Sequence, residues 1–200
     1  PLCEGATTSH PLPVHLKIET GMNRLGVDEA ELDQVLDSVI AKSHLVRVAS
    51  VFSHLAAADD PALDPFTQSQ ISRFEKAVTH ITHRLGYTPI RHLLNSAGIS
   101  RFPEAQYDMV RLGIGLYGIA PDPVDQPLLQ NVNTLRSHLS QIKNIAQGES
   151  VGYNRRFVAS RPSRIGVVPV GYADGITRSL GNGRFSVRIN GTMAPQIGRA

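Results

Sequence analysis

Several features that narrow the class of a protein are scarce or missing in this sequence. It has no tryptophan and a single cysteine, Cys3, which excludes an internal disulfide and fits a reducing compartment such as the cytoplasm. No apolar run approaches the roughly 18 residues of a membrane-spanning helix, so we predict no membrane segment. The formal net charge is only +3 and is spread along the chain, which argues against nucleic acid as a partner. Apolar residues make up 41% of the sequence, so we predict a buried core and one or two domains.

The first part of the sequence alternates between strand and helix patterns. After a loop over residues 1–13, strands are predicted at 14–19, 46–55, 90–95 and within 108–117. Helices are predicted between them, the last a short one over 100–107. This alternation favours a parallel sheet with right-handed crossovers. Four such units are half of an eight-stranded α/β barrel, and the remaining sequence does not supply the other four.

The two longer helices carry capping signals. Asp28 precedes an amphipathic pattern and has Glu31 three residues later, which is the spacing of a capping box. Asp64 is expected to cap the second helix, with Pro65 at its first position and Gly86 at its C-terminal end. We therefore expect each helix to pack one apolar face on the sheet.

The pattern changes after Pro127 to short strands separated by glycine turns. Strand patterns cover 135–145, 163–170 and 185–191, with no helical periodicity between them. We therefore predict an α/β barrel half over 1–122, a linker over 123–134 and part of a β-rich domain over 135–200. The first residue is not methionine and no terminal element closes the chain, so we expect both ends to have been cut from a longer protein.

Polar residues occur near the end of every predicted barrel strand. They are Lys17 and Arg24 after the first, His54 in the second, Asn95 and Ser96 after the third, and Arg111 and Gly113 in the fourth. The C-terminal ends of barrel strands meet at the face where such barrels have their active sites. Ser96 and the N–H groups of Gly113 and Ile114 are suited to bind phosphate. Each residue alone has an ordinary structural explanation, but their shared position favours an active site.

Tyr172 is the candidate from the second domain. The apolar run over 165–170 predicts a buried strand, and it stops at Gly171-Tyr172-Ala173-Asp174-Gly175. The two glycines permit a tight turn that would hold the tyrosine beyond the strand end. This is a suitable place for a side chain that takes part in chemistry.

Six segments together resemble alanine racemase, a pyridoxal-phosphate enzyme with an α/β barrel and a β-rich second domain. The segments are HLKIETGMNRLG (15–26), VFSHLAAAD (51–59), HLLNSAGI (92–99), MVRLGIGLYG (109–118), VPVGYADGITR (168–178) and, as a weaker match, VGYNRRF (151–157). They occur in family order over almost the whole chain. The resemblance implies interconversion of L- and D-alanine, which supplies D-alanine for peptidoglycan, and no metal.

The resemblance also implies roles at the cofactor. Arg111 would donate to the pyridine nitrogen of pyridoxal phosphate, and because arginine stays protonated, the ring would be a weaker electron sink than one that faces a carboxylate. Ser96, with the N–H groups of Gly113 and Ile114, would bind the phosphate. His54 would lie beside the ring and link Arg111 to the catalytic tyrosine.

Further roles implied by the resemblance concern the substrate. Tyr172 would be one of two bases, since one base cannot reach both faces of a planar carbanion, and it would enter the site from the second subunit of a homodimer. Arg24 would place the substrate carboxylate or the phenol. Lys17 resembles a lysine that some members carry as a carbamate, which would hold Arg24.

The sequence departs from the family pattern in one important respect. The family's other base is a lysine that binds the cofactor as a Schiff base, and none of Lys17, Lys42, Lys76 and Lys143 lies in such a motif. Leu112 stands where the family often has proline. We therefore expect that these 200 residues do not racemise alanine alone. Fusion of the parent protein to a cell-wall ligase is compatible with the sequence.

Three alternatives remain open. One is a racemase for another amino acid, such as serine or lysine. A second is a decarboxylase of the same barrel class, but those place a carboxylate on the pyridine nitrogen, and Arg111 argues against it. The third is a non-catalytic carrier of pyridoxal phosphate, which would have no need of Tyr172.

Overall fold

The structure, a computed structural model, describes residues 7–198. The chain divides into two compact units, the first ending at Asn133 and the second beginning at Thr134. Residues 1–6 of the predicted N-terminal loop, Cys3 among them, lie outside the described residues. The loop prediction is wrong at its other end, because Leu12 and Pro13 already belong to the first strand.

The first unit is built on a parallel sheet of three strands. The strands are β1 (Leu12–Lys17), β2 (Val46–Phe52) and β3 (Ile90–His92), and they pair in the order β1-β2-β3. The predicted fold class, α/β with a parallel sheet, is confirmed.

Two details of the strand prediction are wrong. β2 and β3 end three residues earlier than predicted, at Phe52 and His92. The carbonyl groups that follow them, those of Ser53 and Leu93, accept hydrogen bonds from the Arg111 side chain. Those groups therefore bind a side chain instead of continuing the strands.

The predicted fourth strand is also not formed as a strand. Met109 makes only an isolated parallel bridge with His92, and the Arg111 N–H donates to the carbonyl of Leu94 at 3.0 Å. The chain then turns into a 3-10 helix at Ile114–Tyr117. The segment therefore runs along β3, but it turns away before a ladder can form.

Three α-helices accompany the sheet. They are α1 (Leu32–Ala41), α2 (Asp64–Leu85) and α3 (Ser96–Arg101). The Gly86 prediction is confirmed, because this residue ends α2 in the left-handed conformation at φ 76°. The predicted helix over 100–107 is wrong in position: α3 begins four residues earlier, at Ser96, because the Asn95 side chain caps it by accepting from the Gly98 N–H at 3.0 Å.

Both predicted N-caps are wrong. The Asp28 side chain makes no capping bond, and a 3-10 turn at Glu29–Glu31 precedes α1. A similar turn precedes α2, and there Asp60 accepts from the Ala62 N–H at 2.9 Å. Asp64 is the first residue of α2 and not its cap; its carboxylate pairs with Arg101 instead, at 2.8 and 2.9 Å.

The apolar core of the first unit lies between the sheet and the helices. Its largest members have almost no exposed surface; they are Leu36, Val48, Val51, Leu55, Phe74, Ile81, Leu93 and Leu94. The predicted inner face of α2 is confirmed at Ile71, Phe74, Val78 and Ile81. The core therefore fixes α2 against the strands whose C-terminal ends carry the candidate site.

The second unit consists of antiparallel strand pairs. Its strands are β4 (Gln141–Ile145), β5 (Ser150–Val151), β6 (Phe157–Val158), β7 (Ser163–Val167), β8 (Ser186–Ile189) and β9 (Thr192–Pro195). β4 pairs with β7, β5 with β6, and β8 with β9. Its β-rich character is as predicted.

The prediction of a buried strand over 165–170 is wrong. β7 ends at Val167, and Pro169, which has no N–H, cannot continue the ladder. Ile165 is only half-buried and Val167 is 42% exposed. The reason is that β7 belongs to a two-stranded sheet, which covers one edge of the strand and leaves its surface open. The strand predicted from 135 likewise begins only at Gln141.

Within residues 7–198, no helix combines the length and the apolar character that crossing a bilayer requires.

Candidate active site

Arg111 is the residue to which most of the site is bonded. Its Nη1 donates to Nδ1 of His92 at 2.6 Å and to the carbonyl of the same residue at 3.1 Å. Its Nη2 donates to the carbonyls of Ser53 at 2.6 Å and Leu93 at 3.2 Å, and to Nδ1 of His54 at 3.1 Å. Burial lowers the pKa of Arg111, but arginine remains charged in proteins. The guanidinium is therefore a fixed positive charge at the ends of β2 and β3.

His54 follows β2 and is half-buried beside this charge. Burial lowers the pKa of His54, and the positive charges of Arg111, Arg24 and Lys17 lower it further. A neutral imidazole has one acceptor nitrogen, and because arginine only donates, Nδ1 must be that acceptor. The Nε2–H of His54 is then available to another group.

The backbone around His54 is held by Gln70 of α2, which is fully buried. The Gln70 amide donates to the His54 carbonyl at 3.1 Å and accepts from the Ala56 N–H at 2.9 Å. Sequence reasoning missed this residue. The polar position on the inner face of α2, one residue before Ile71, was the signal that could have found it.

Ser96 is the first residue of α3. Its Oγ accepts from the N–H of Gly113 at 2.9 Å and from that of Gly115 at 3.2 Å. The Gly113 N–H, which we predicted to bind phosphate together with Ser96, is thus directed at the serine hydroxyl in this structure. Ile114 opens the 3-10 helix, where an N–H has no acceptor within the helix itself. The Ser96 hydroxyl, as an acceptor of both bonds, keeps its own hydrogen for another partner.

Lys17 and Arg24 lie close enough to His54 for their charges to act on it. Lys17 is the last residue of β1, and its ammonium group donates to the carbonyl of Leu25. Arg24 is exposed in the loop that follows. Both contribute to the positive potential that lowers the pKa of His54. The first unit therefore places these two cations near His54. The other predicted site residues that it carries are His54, Ser96, Arg111, Gly113 and Ile114.

His92, at the end of β3, is a second site residue that sequence reasoning missed. It has only 5% of its surface exposed and binds Arg111 as described. The Phe52 ring stacks on it with centroids 4.9 Å apart and an angle of 6° between the planes. Burial, the charge of Arg111 and the neighbouring His15 lower the pKa of His92 to about 4. Like His54, His92 lies in a predicted strand and is followed directly by leucine. This similarity was the sequence signal that could have identified it as a site residue.

Tyr172 belongs to the second unit. It opens a 3-10 turn, Tyr172–Asp174, that starts five residues beyond the end of β7 rather than directly at it. The Gly171 N–H donates to the Asp174 carboxylate at 2.9 Å, and Gly175 ends the turn at φ 98°. Tyr172 is 65% exposed, and its ring lies 5.5 Å from the guanidinium of Arg178. The turn therefore holds the backbone of Tyr172 while the residue stays largely exposed.

The donors of the first unit fit a phosphorylated heteroaromatic cofactor. The Ser96 hydroxyl and the N–H of Ile114 can donate to phosphate oxygens, and Arg111 retains its Nε–H once both Nη groups are used. No acidic side chain is part of this group of donors, so a phosphate dianion would meet no like charge there. Among residues 7–198, no cluster of three or more histidine, cysteine or acidic side chains could hold a metal ion.

Two family models match this chain, one in each of its two units. A family model described as the alanine racemase N-terminal domain matches residues 2–121, and one described as the alanine racemase C-terminal domain matches 132–200. An alanine racemase from Nostoc is 40% identical over 191 residues, which are 94% of this chain and 48% of that protein.

Solved structures give the same result. The alanine racemase of a D-cycloserine-producing Streptomyces lavendulae matches with a TM-score of 0.78 and 30% identity, over 94% of this chain and 50% of that one. The alanine racemase of Bartonella henselae with covalently bound pyridoxal phosphate matches with a TM-score of 0.69 and 29% identity, over 99% of this chain and 52% of that one. The chain thus spans about half the length of the proteins it matches.

Proposed function

Because this chain belongs to the alanine racemase family, we propose that it forms half of a pyridoxal-phosphate enzyme that interconverts L- and D-alanine. The observation that carries the proposal is the guanidinium of Arg111, fixed by His92, His54 and main-chain carbonyls at the ends of two parallel strands. Since the chain spans about half of its relatives' length, the Schiff-base lysine and the rest of the barrel belong to the other half of the enzyme. The enzyme is cytoplasmic and supplies D-alanine for peptidoglycan.

Four groups of this chain would hold the cofactor. The Ser96 hydroxyl and the N–H groups of Ile114 and Gly113 would bind its phosphate, and the Gly113 N–H would give up its bond to Ser96 Oγ to do so. Arg111 would donate from Nε to the ring nitrogen, because its Nη groups are already bonded. When bound, pyridoxal phosphate draws electrons from the α-carbon of the amino acid and makes its proton acidic.

The charge of Arg111 determines how far those electrons move. Its guanidinium would donate a hydrogen bond without giving up its proton, so the ring would be a weaker electron sink than one that faces a carboxylate. Arg111 would therefore favour return of the proton over side reactions such as transamination. His54, neutral and bonded to Arg111, holds its Nε2–H towards the phenol of the second base.

Tyr172 is that second base. Racemisation removes the α-proton from one face and returns a proton to the other, so two groups are needed on opposite sides. The Tyr172 hydroxyl of one subunit serves the site of its partner in a homodimer, while Arg24 orients the substrate carboxylate or the phenol. Lys17 supports Arg24 when it is carbamylated. Alanine rather than a larger amino acid is the substrate.

The deciding experiment is α-proton exchange in deuterated water by the full-length protein with Tyr172→Phe. Because the equilibrium constant of racemisation is one, net turnover must fall in both directions. Exchange should persist for the enantiomer whose proton faces the lysine and be lost for the other. Unchanged racemisation by this variant would exclude Tyr172 as a base, whereas a complete lack of racemisation by the unsubstituted full-length protein would support the carrier alternative. Tyr153→Phe, which changes an exposed tyrosine of the same unit, is the matched control.

A further inference from the structure

A line of side-chain hydrogen bonds starts at Arg111 and crosses the three-stranded sheet. Each of the three strands contributes one residue: His15 from β1, Ser50 from β2 and His92 from β3. His92 Nδ1 lies 2.6 Å from Arg111 Nη1, Ser50 Oγ lies 3.0 Å from His92 Nε2, and His15 Nδ1 lies 2.5 Å from Ser50 Oγ. The line therefore runs without a break from an exposed histidine to the guanidinium.

The direction of each bond follows from its Arg111 end. Arginine has no acceptor, so Nδ1 of His92 must carry a lone pair. A neutral His92 then has its hydrogen on Nε2 and donates it to Ser50 Oγ. With one lone pair engaged in this way, the Ser50 hydroxyl still has its hydrogen to donate to Nδ1 of His15. The proton of His92 is thus assigned to Nε2 once Arg111 is in place.

The surroundings of His92 support a neutral, fixed ring. The ring is buried and stacked on Phe52, so it cannot turn over without disturbing its neighbour. The Arg111 guanidinium lies 5.4 Å from the same Phe52 ring. Burial and the charge of Arg111 lower the pKa of His92 to about 4, so the ring is uncharged near neutral pH.

We propose that Ser50 and His15 are positioning residues for Arg111. They keep His92 in the form protonated on Nε2, so that its Nδ1 always accepts from Nη1 and holds the guanidinium in the orientation that leaves Nε facing the cofactor ring. The role of Arg111 toward the ring rests on the proposed function. The proton assignment itself rests only on the distances and on the donor chemistry of arginine.

The first test reads the tautomer directly, without the cofactor. The full-length protein, labelled with ¹⁵N in histidine and freed of pyridoxal phosphate, should show a His92 ring that is unprotonated at Nδ1 and protonated at Nε2 from about pH 6 to 8. His92→Asn identifies the signal by removing it. A ring protonated on Nδ1, or charged in this range, would overturn the proposal whether or not the protein is a racemase.

The second test uses matched substitutions at Ser50. Ser50→Ala leaves Nε2–H of His92 without an acceptor, so we expect the His92 signal to become a mixture of tautomers and kcat to fall about tenfold, the effect of one hydrogen bond of roughly 1.4 kcal/mol. KM for alanine should stay the same, because Arg111 acts on the ring and not on the substrate. Ser50→Thr keeps the hydroxyl and should restore both readouts.

The outcomes against the proposal are equally definite. If Ser50→Ala left the His92 tautomer and kcat unchanged, or if Ser50→Thr were as impaired as Ser50→Ala, Ser50 would not be a positioning residue. His15→Gln keeps an acceptor and His15→Leu removes it, so equal kcat values for these two would exclude His15. A complete lack of racemisation in the unsubstituted protein would refute the proposed function, while the tautomer measurement would still decide the proton assignment.

Discussion

The Nη2 of Arg111 and the Nδ1 of His54 lie 3.1 Å apart, a hydrogen bond between a permanent cation and a histidine that must be neutral to accept it. Burial keeps the pKa of His54 below its usual value, and the positive charges of Arg111, Arg24 and Lys17 lower it further. A protonated His54 would both lose this bond and add a charge to the group. The pair therefore remains intact only while the imidazole is uncharged.

Replacement of Arg111 by lysine should abolish most of the activity although the charge is kept. A single ammonium group cannot bond to His92, His54 and two carbonyls at once, and a buried polar group left without a partner costs about 1–3 kcal/mol. We expect kcat in the full-length protein to fall by at least about a hundredfold and pyridoxal phosphate to dissociate more readily. Arg73→Lys, on the exposed face of α2, is the control and should change neither. Activity close to that of the parent would contradict the assigned role.

Replacement of Gln70 by leucine should lower both stability and kcat, because Gln70 supports the backbone around His54. The change keeps the volume but leaves the His54 carbonyl and the Ala56 N–H unpaired, and we expect a loss of stability of about 2–4 kcal/mol for the two groups together. Thermal unfolding measures this loss, and kcat should fall with it because His54 loses its support. Gln68→Leu, at an exposed position of the same helix, is the comparison. Equal unfolding temperatures for the two variants would show that Gln70 only fills space.

Stability should depend on His92 in acid. Its pKa is about 4 in the folded protein and near 6.5 when exposed, so the unfolded chain binds a proton that the folded chain does not. Stability contributed by the neutral ring is complete above about pH 6.5 and is lost as the pH falls towards 4, by up to about 3 kcal/mol. Because asparagine does not titrate, the denaturant midpoint of His92→Asn should fall less between pH 7 and pH 5 than that of the unsubstituted protein. His44→Asn, which changes an exposed histidine, should keep the steeper dependence; identical curves for all three proteins would refute the assignment.

Two glycine positions should differ sharply in their tolerance of alanine. Gly26 has φ +134°, and an added Cβ would lie 2.8 Å from the backbone nitrogen of Glu19. Gly86 has φ +76° with no atom within 4 Å of the added Cβ. We expect Gly86→Ala to cost only about 1 kcal/mol, and Gly26→Ala to cost more and to displace Lys17 at the neighbouring strand end. Thermal unfolding of both variants measures the difference, and a milder effect at Gly26 would contradict the close backbone approach.

The class of fold and most residues of the candidate site could be predicted from the sequence, because both depend on local patterns. Helix periodicity located the buried face of α2, and strand-end polar residues located His54, Ser96 and Arg111. The strand ends were placed wrongly because they depend on a contact distant in sequence: the Arg111 side chain takes the carbonyls that would have extended β2 and β3. No pattern within one strand reports that contact.

His92 and Gln70 escaped prediction for a related reason. A histidine in an apolar strand and a glutamine on a helix face both look like ordinary residues until their partners are known. Likewise, the apolar run over 165–170 looks buried, yet burial requires a second layer of structure, which a strand's own sequence cannot reveal. The capping box at Asp28 failed because a 3-10 turn moved the helix start by one turn.

The bonds from Arg111 to the carbonyls of Ser53, His92 and Leu93 have a consequence for motion in this unit. The Arg111 side chain is hydrogen-bonded to the C-terminal ends of both β2 and β3, so the two strand ends should open together when the guanidinium moves away. Both should become more rigid when the ring nitrogen of the cofactor accepts a hydrogen bond from Arg111. Amide hydrogen exchange at the end of β2 would then slow on cofactor binding. Cofactor binding could therefore be followed through the rigidity of these two strand ends.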